Sequence, residues 1–527
     1  MNFSLYYHTL KYLKFKQLFY QIFYRVKKKI SPPCLKYSKE ESRGYPLHLA
    51  PFIDKTVSQI GTEFEFLNQK RVFDGNWNGA ADSRLWAYNL NYMDYLLQSG
   101  NTYQNGAQWI NRFIDDIQGN KCGIEPYPIA LRGINWIKFI STYSDQIPIE
   151  TKRKWDVSLF AQYRLLSENL EFHLLGNHLL EDIYSLLWAA FYFKKISWYK
   201  KASSLLRKEL AEEVLPDGGH FELSPMYHEI LLDRLLDCVN LLKNNDFFEG
   251  QKSLLKFLQS KAKLMLGYLE AICYRNGDIP LLNDSANGIA PSSDELFNYA
   301  KRLDIPWKTI SLKESGYRKF NSESLECVID VGHIGPSYIP GHAHADTFNY
   351  ELRIQDKSFI IDSGISTYNK DVRRQYERGT AAHNTVTVDG KNSSHVWGGF
   401  RVAERAETIE LVEHGNTITA AHNGFQKLGI IHKRQFNFKD SLFCIMDELI
   451  GNTGKQGISR IILHPEVIIE SITDSEVRTN LGIIQYDGDA QLKVEDCQVS
   501  SRYNSLQTTK VLCFSFSRKL KYSITLA

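Results

Sequence analysis

The pattern of apolar and polar residues changes once along the chain, near residue 320. From about residue 80 to 315, apolar residues recur at i, i+3 and i+4, the spacing of an amphipathic helix. The pattern is clearest in four segments, residues 86–97, 179–193, 230–242 and 254–272. Gly, Asn, Pro and Asp residues separate these segments, as expected for short connections. We therefore predict many antiparallel helices, arranged as a helical toroid or incomplete barrel.

After residue 320, short segments with period-two alternation predict β-strands separated by turns. The predicted strands are Leu325–Val331, Thr347–Ile354, Phe359–Ile361, Thr385–Val388, Thr417–Ala421, Phe436–Phe438, Ile458–Leu463 and Val511–Phe516. A run of helices followed by a run of strands indicates two separate domains. We expect an antiparallel β-sandwich in the second half.

The chain is therefore predicted to be an α+β multidomain protein. Its 527 residues are too many for one hydrophobic core. We divide it into a basic, aromatic N-terminal segment (1–42), an α/α toroid domain (43–318) and a β-sandwich domain (319–527).

The N-terminal segment combines aromatic residues with lysine and arginine. Residues 15–30 fit two interpretations: an amphipathic basic helix on an anionic membrane surface, or a helix packed on the body by its aromatic face. No apolar run is long enough for a spanning helix, and no secretory signal peptide is evident. We therefore expect a cytoplasmic or peripheral membrane protein, with residues 1–30 as the segment that would make any membrane contact, and a periplasmic location as the alternative.

Composition narrows the function classes. A net charge of only +3 gives no overall case for nucleic-acid binding. The eight cysteines are scattered and form no CxxC pair, which argues against a disulfide framework and a cysteine-based zinc site. Aromatic residues make up 13% of the chain, which suits either a sugar-binding cleft or a large core.

The candidate metal chemistry lies in the second half. If His342 and His344 are in a strand, they share one face, because side chains alternate along a strand. Asp362 ends a predicted strand and His383 begins another, so a carboxylate and imidazoles meet at neighbouring strand ends. Histidine and aspartate together suit zinc. One histidine of the pair would remain free for acid–base chemistry, because imidazole titrates near neutrality.

The helical half contains further polar clusters. Residues 176–181 begin a helix in which His178 and Glu181, three residues apart, share a face, while the Asn177 amide can bind a substrate acid. A capping Asn with a surface His–Glu pair is the alternative. Ser224 and Pro225 form an N-cap and first helical position, which places Tyr227 in the first turn as a candidate acid–base group or a buried structural residue. Residues 283–285 indicate a turn.

Together these segments resemble the heparinase II/III-like polysaccharide lyases, a group that includes heparin, heparan sulfate and alginate lyases. The matching motifs are Gly176-Asn177-His178-x-x-Glu181, Glu222-x-Ser224-Pro225-x-Tyr227-His228, His342-x-His344-x-Asp346, Asp362-x-Gly364 and His383-Asn384-Thr385-Val386-x-Val388-Asp389-Gly390. The resemblance implies an α/α toroid joined to a β-sandwich, and β-elimination at a uronic acid of an acidic polysaccharide. It leaves the substrate open.

The resemblance also implies residue roles. Asn177 and His178 would neutralise the C6 carboxylate of the uronic acid, and Tyr227 and His342 would share the roles of base and acid. A structural zinc ion would be held by His344, Asp362 and His383. The candidate contacts to the acidic sugar are Glu181, Glu222, Tyr368, Arg374 and Arg378.

Two other functions remain open from the sequence. A glycoside hydrolase on a helical toroid needs two carboxylates across the scissile bond, and the candidates are Asp217, Glu222 and Asp284. The second is a non-catalytic polysaccharide-binding or assembly protein of exopolysaccharide synthesis. An unsaturated product distinguishes the lyase from both.

Overall fold

The computed structural model describes residues 3–38, 40–79, 84–451, 454–487 and 490–527. Its α-helices are α1 (Phe3–Leu10), α2 (Phe15–Ile30), α3 (Arg84–Tyr92), α4 (Tyr103–Asp116), α5 (Pro126–Thr142), α6 (Ile149–Ser167), α7 (Gly176–Tyr192), α8 (Ile196–Glu213), α9 (Pro225–Asn244), α10 (Gln251–Ile272), α11 (Ser293–Arg302) and α12 (Val372–Glu377). The predicted helical half is confirmed.

The strands are β1 (Gln59–Ile60), β2 (Glu63–Phe66), β3 (Gln69–Val72), β4 (Tyr317–Asn321), β5 (Leu325–Asp330), β6 (Tyr350–Ile354), β7 (Lys357–Ile360), β8 (Val386–Val388), β9 (Val396–Trp397), β10 (Arg401–Val402), β11 (Thr408–His414), β12 (Thr417–His422), β13 (Ile430–Lys439), β14 (Leu442–Gly451), β15 (Gly457–Ile462), β16 (Ile469–Ile472), β17 (Glu476–Thr479), β18 (Gly482–Tyr486), β19 (Gln491–Arg502), β20 (Ser505–Phe516) and β21 (Lys519–Leu526). The small sheet β1–β3, ahead of the toroid helices, was not predicted.

The toroid has an inner and an outer set of helices. Inner helices pack side by side in the order α3, α5, α7 and α9, and helices such as α8 and α10 pack outside them. The sequence explains this division, because α7 is apolar around most of its circumference and buries every residue except His178. By contrast α8 buries only one stripe and exposes lysines on the other side. A helix that is apolar on all sides belongs in the interior.

The second domain is built from antiparallel sheets. Eight strands pair in the order β11-β12-β13-β14-β21-β18-β17-β16, and two four-stranded sheets pair as β19-β20-β15-β8 and β4-β5-β6-β7. Strand β13 alternates buried and half-exposed residues, so one face packs on the core and the other meets solvent. Inward residues of the three sheets form one apolar core. The predicted fold class, a toroid followed by an antiparallel sandwich, is confirmed.

The N-terminal segment packs against both domains. On α2, Tyr24 donates to the Leu170 carbonyl oxygen at 2.6 Å. On α1, Thr9 accepts from the Trp397 indole of the sandwich at 3.2 Å. The segment therefore lies across the boundary between the toroid and the sandwich.

Candidate active site

Three segments from the two domains bring an amide, a phenol and an imidazole together. Asn177 lies in the first turn of α7, Tyr227 in the first turn of α9, and His342 in the loop between β5 and β6. The Tyr227 and His342 rings lie 3.9 Å apart between centroids, and the Asn177 Nδ2 atom is 3.3 Å from His342 Nε2. These residues were predicted to converge, and they form one cluster across the domain boundary.

The start of α9 is capped as predicted. Ser224 is the N-cap, its hydroxyl accepts from the Tyr227 backbone N–H at 3.2 Å, and Pro225 follows it. The same hydroxyl donates to the Asp284 carbonyl oxygen at 2.8 Å. The cap therefore fixes Tyr227 and connects α9 to the segment at residues 283–285.

The start of α7 is organised around Glu222. Its carboxylate accepts from the Asn177 backbone N–H at 2.8 Å and from the Asn177 side-chain amide at 3.0 Å. A carboxylate is favourable here because the helix N-terminus carries partial positive charge. Gly176 has a φ of +55°, and a Cβ atom at this position would lie 2.3 Å from Glu222 Oε1. Only glycine fits between this backbone and the carboxylate.

A buried carboxylate, Asp284, binds the two histidines of the sandwich loop. It accepts from His342 Nδ1 at 2.9 Å, from His344 Nε2 at 2.8 Å and from the Arg374 guanidinium at 2.7 Å. Burial opposes its ionisation, but Arg374 and the imidazoles hold the pKa of Asp284 well below its usual range. The ionised carboxylate therefore orients the His342 ring through Nδ1, and Nε2 faces the Asn177 amide at 3.3 Å and the Glu222 carboxylate at 3.2 Å.

Asp284 was missed as a site residue. The sequence reasoning interpreted residues 283–285 mainly as a turn and considered Asp284 only for a hydrolase. Its partners are far away in sequence, since His342 and Arg374 lie 58 and 90 residues downstream. The only local signal was its position in a polar turn, which many surface aspartates share.

The local structure of the His342 and His344 pair differs from the prediction. Residues 333–349 form an irregular loop between β5 and β6, not a strand. The shared location of the two imidazoles therefore does not come from strand alternation. It comes from Asp284, whose two carboxylate oxygens each bind one ring.

Tyr227 keeps its proton in this environment. Burial raises the pKa of the Tyr227 phenol, the hydrogen bond with Tyr368 opposes that shift, and the Asp284 and Glu222 carboxylates reinforce it. The two phenol oxygens lie 3.3 Å apart. Tyr368 was predicted as a substrate contact, and the structure places it beside Tyr227 and half-buried.

His178 pairs with a residue that the helical spacing did not indicate. Its Nδ1 lies 2.9 Å from Glu171 Oε2, not against Glu181 as predicted, and its ring packs 4.7 Å from Tyr127. Burial opposes protonation of His178, but Glu171 outweighs it and the pKa of His178 is raised. With 36% of its side chain exposed, His178 can be reached by a ligand, and its raised pKa favours the protonated form.

Three non-glycine residues beside the cluster have left-handed backbone conformations. They are Leu175 (φ 66°), Leu223 (φ 58°) and Asn283 (φ 56°), next to or near Asn177, Glu222 and Asp284. Each such conformation costs of order 1–3 kcal/mol and persists only where the surrounding structure enforces it. Backbone strain concentrated beside converging polar groups is typical of functional sites.

Comparison with known families agrees with this geometry. The heparinase II/III N-terminus model matches residues 136–303, and the heparinase II/III-like C-terminal model matches residues 304–525. The chain belongs to the heparinase II/III-like family. The two matches meet between residues 303 and 304, between α11 and β4.

Curated relatives of this heparinase II/III-like protein include heparin-sulfate lyases. That of Bacteroides stercoris is 25% identical over 311 residues, covering 53% of this chain and 44% of the relative. The heparin-sulfate lyase of Pedobacter heparinus is 24% identical over 367 residues, covering 62% of this chain and 54% of the relative. The chain spans about half the length of the curated relatives it matches.

Solved structures share the fold. A heparinase III superposes with a TM-score of 0.63 and 14% identity, covering 93% of this chain and 85% of that structure. The heparan sulfate lyase HepC from Pedobacter heparinus superposes with a TM-score of 0.58 and 18% identity, covering 96% of this chain and 87% of that structure. Both likenesses extend over the toroid and the sandwich.

In this heparinase II/III-like protein, two of the predicted substrate contacts are interior residues. Arg374 is 1% exposed and binds Asp284 through both terminal nitrogens. Arg378 is fully buried and donates to the Ala343 carbonyl oxygen at 2.8 Å. Neither guanidinium is free for a sugar in this conformation, because Arg374 is bound to Asp284 of the toroid domain and Arg378 to the backbone of the sandwich loop. Their position corrects the prediction and gives them a role in holding the His342 loop.

The two predicted glutamate contacts are also enclosed. Glu181 is fully buried, its carboxylate is 3.4 Å from Arg234 Nε, and burial raises the pKa of Glu181 to about 7. Glu222 is 1% exposed and holds Asn177. Neither glutamate meets open solvent, whereas Tyr227 and His178 of the same cluster are half-buried.

The three carboxylates considered for a hydrolase do not form a catalytic pair. Asp217 is buried and accepts from the backbone N–H groups of Lys313 and Ser315 at 3.0 and 2.8 Å. Asp284 is bound to an arginine and Glu222 to an amide. Each carboxylate therefore has a structural partner, and none is placed as a free acid or base across a cleft.

The predicted zinc ligands lie close together. His383 Nδ1 donates to Asp362 at 2.7 Å, and the His344 and His383 rings lie 5.3 Å apart between centroids. Among the described residues, His344 Nδ1, His383 Nε2 and Asp346 Oδ2 are buried without a hydrogen-bond partner. Two imidazole nitrogens and a carboxylate oxygen are donors that zinc accepts.

The arrangement nevertheless differs from a closed metal site. Across the part of the chain that the structure describes, no three His, Cys, Asp or Glu side chains are placed to hold one metal ion. Asp362 is engaged by His383, by the Asn349 amide at 2.6 Å and by the Gly364 N–H at 2.8 Å. The zinc site therefore stays a prediction.

Proposed function

We propose that this protein is a polysaccharide lyase that cleaves a uronic-acid-containing polysaccharide by β-elimination. The observation that supports this proposal most directly is the convergence of Tyr227, His342 and Asn177 across the domain boundary. The ring centroids of Tyr227 and His342 lie 3.9 Å apart. Membership of the heparinase II/III-like family and relatives named heparin-sulfate lyases support the same chemistry. The substrate would be an acidic polysaccharide.

The first requirement of the reaction is to acidify the C5 proton. A proton beside an ionised carboxylate is a very weak acid, so the C6 carboxylate has to be neutralised as the enolate develops. His178, whose raised pKa favours the cation, and the Asn177 amide would bind that carboxylate. A hydrogen-bond donor placed where negative charge develops lowers the activation free energy by about 3 kcal/mol.

The second requirement is a base and an acid. His342 would remove the C5 proton through Nε2, since its Nδ1–H is held by the ionised Asp284. Tyr227 would protonate the departing O4 oxygen, because its raised pKa keeps the phenol proton in place until a strong base forms. The product would be a 4,5-unsaturated uronide.

The proposal predicts loss of turnover without loss of fold. Tyr227→Phe and His342→Ala should lower the rate of unsaturated product formation at least ~100-fold, the usual size of a lost acid–base contribution. Tyr37→Phe, an exposed tyrosine outside the cluster, is the matched control and should retain full activity. The assay follows ultraviolet absorbance across a panel of acidic polysaccharides, with circular dichroism to verify folding.

The two roles can be separated by the leaving group. A synthetic uronide with a 4-nitrophenoxide group at C4 needs no acid, so Tyr227→Phe should regain most of its activity on it. His342→Ala should remain inactive, since the C5 proton still needs a base. The opposite recovery would reverse the assignment. Cleavage of any panel polysaccharide without an unsaturated product would favour a hydrolase, and binding without cleavage would favour a non-catalytic role.

We also propose that zinc is bound by His344 and His383 with Asp362, as a structural ion. Asp362 would exchange for the metal the hydrogen bonds that it now accepts from His383 and Asn349. When bound, the ion would stabilise the sandwich side of the cleft. His344→Ala is expected to lower both the zinc content measured by plasma mass spectrometry and the Tm. His464→Ala, a half-exposed histidine elsewhere in the sandwich, should change neither. Equal zinc content and equal melting curves for the His344 variant and the wild type would contradict the proposal.

A further inference from the structure

We propose that α2 binds the surface of an anionic membrane through an exposed apolar stripe. Six large apolar residues recur along the helix at spacings of three and four, which places them on one face. They are Phe15, Phe19, Ile22, Phe23, Val26 and Ile30, and they are between 44 and 82% exposed. Scattered apolar residues are common on protein surfaces, but a contiguous stripe marks an interaction site.

The stripe is not needed to hold α2 on the protein. The opposite face makes those contacts: Gln17 is buried and its amide donates to the carbonyl oxygens of Leu174 and Tyr338, both at 3.3 Å. Tyr20 packs 4.8 Å from Phe172. The interpretation of α2 as a helix packed on the body therefore holds for one face, and membrane contact through the solvent-facing residues stays a prediction.

The charge around the stripe favours an anionic partner. The first 39 residues contain nine of the 63 lysine and arginine residues and none of the 60 aspartate and glutamate residues, so the remainder has more acidic than basic residues. Lys14 and Lys16 pair with glutamates of α8. Arg25, Lys28 and Lys29 are exposed at the other end of α2. Anionic lipid attracts such basic residues, by about 1 kcal/mol each near a membrane surface.

The dimensions indicate an interfacial helix. Within the described residues, no helix is both long and apolar enough to cross a membrane. An amphipathic helix with aromatic residues on one face and basic residues beside them lies in the headgroup region, parallel to the surface. The 16 residues of α2 suit that position.

The contacts of α2 connect this surface to the cleft. Leu174 lies three residues before Asn177, and Tyr338 lies four residues before His342. Gln17 binds the backbone of both. A membrane-bound α2 would therefore hold both edges of the candidate active site in a fixed orientation at the membrane. We infer that the protein acts on polysaccharide close to an anionic membrane.

The test is cosedimentation of the full-length protein with lipid vesicles. Vesicles of phosphatidylcholine with phosphatidylglycerol should bind the wild type, with binding reduced at high salt, while phosphatidylcholine alone should bind it much less. Phe15→Ser/Phe19→Ser/Phe23→Ser should weaken binding at least about tenfold, since each exposed ring loses its apolar burial. Arg25→Glu/Lys28→Glu/Lys29→Glu should abolish the preference for anionic lipid.

A matched control replaces exposed apolar residues by serine at positions outside α2. Ile149→Ser/Ile468→Ser removes two exposed apolar side chains outside α2 and should bind like the wild type. Equal vesicle binding by the triple serine variant and the wild type would overturn the proposal. So would a dimer in light scattering that the serine variant abolishes while neither protein binds vesicles, because a second copy would then cover the stripe. Vesicle binding does not depend on turnover, so failure here is distinct from failure of the lyase assay.

Discussion

At the scale of single residues, environment decides which side chains can take part in proton transfer. Asp284 is fully buried yet ionised, because Arg374 and two imidazoles surround it. Burial raises the pKa of Tyr227, so its phenol stays protonated. At Asp284 the neighbouring cations outweigh the same effect of burial. Residue type alone does not distinguish these groups from Asp217 or Tyr317, which are buried and form hydrogen bonds with backbone groups.

Glu229 on α9 offers a test of such an environment outside the site. It is 5% exposed, accepts from the Ser293 hydroxyl at 2.9 Å, and burial raises its pKa to about 8. Between the ordinary pKa of a glutamate and about pH 8, Glu229 is ionised in the unfolded chain but still protonated in the folded protein. The wild type therefore loses stability as pH rises, by up to about 1.4 kcal/mol per pH unit.

Glu229→Gln has no proton to lose, so its Tm relative to the wild type should rise between pH 5 and pH 8. Differential scanning calorimetry at several pH values measures this. Glu150→Gln, an exposed glutamate on α6, should follow the wild-type curve throughout. A constant difference between Glu229→Gln and the wild type would show that Glu229 ionises in the folded state.

At the scale of elements, the site is built at the starts of helices. Asn177 and Tyr227 each occupy the first turn of a nearly fully buried inner helix, where backbone N–H groups are free to bind carboxylates. The loop with His342 then covers both starts. Because α7 and α9 pack side by side, their first turns present the amide and the phenol to the same space.

Gly176→Ala tests this arrangement. A Cβ atom would strain the backbone at φ +55° by roughly 1–2 kcal/mol and would also displace Glu222 from Asn177. We expect a lower Tm and loss of most of the proposed lyase activity. Gly100→Ala is the control, since Gly100 has φ +76° but nothing within 4 Å of the added atom.

Gly100→Ala should therefore lower the Tm through backbone strain while leaving turnover unchanged. Comparing the two variants by calorimetry and by product absorbance separates strain from displacement of Glu222. Full activity in Gly176→Ala would refute the positioning role of Glu222.

At the scale of the whole molecule, buried polar contacts join the two domains. Asp284 lies in the toroid domain, between α10 and α11, and binds His342, His344 and Arg374 of the sandwich. Tyr274 donates to Glu351 at 2.9 Å across the same boundary. The candidate active site and the domain interface are therefore the same structure, and domain docking positions Tyr227 and His342, the proposed acid–base pair.

Asp284→Asn should loosen this interface. It leaves the Arg374 cation buried without its partner, which costs about 3–5 kcal/mol. We expect a lower Tm and separate unfolding transitions of the toroid and the sandwich in calorimetry. Asp304→Asn, which removes an ion pair with Lys243 at an 85% exposed side chain, should cost at most ~1 kcal/mol. Matching melting curves for the two variants would contradict a docking role for Asp284.

Sequence reasoning reached the cluster of Asn177, Tyr227 and His342 because each lies in a recognisable local motif. It placed His342 and His344 in a strand, whereas the fold places them in a loop. It also paired His178 with Glu181 by helical spacing, although Glu171, in the turn before α7, lies closer. Spacing along one element describes only neighbours within that element.

The sequence by itself determined the helical first half, the β-sandwich second half and the capped start of α9, because periodicity and capping depend on nearby residues. The tertiary structure alone decided that Asp284 joins the two histidines, that Arg374 and Arg378 are interior, and that α2 leaves its phenylalanines in solvent. These features depend on side chains that are tens to hundreds of residues apart, and only packing of the two domains brings them together.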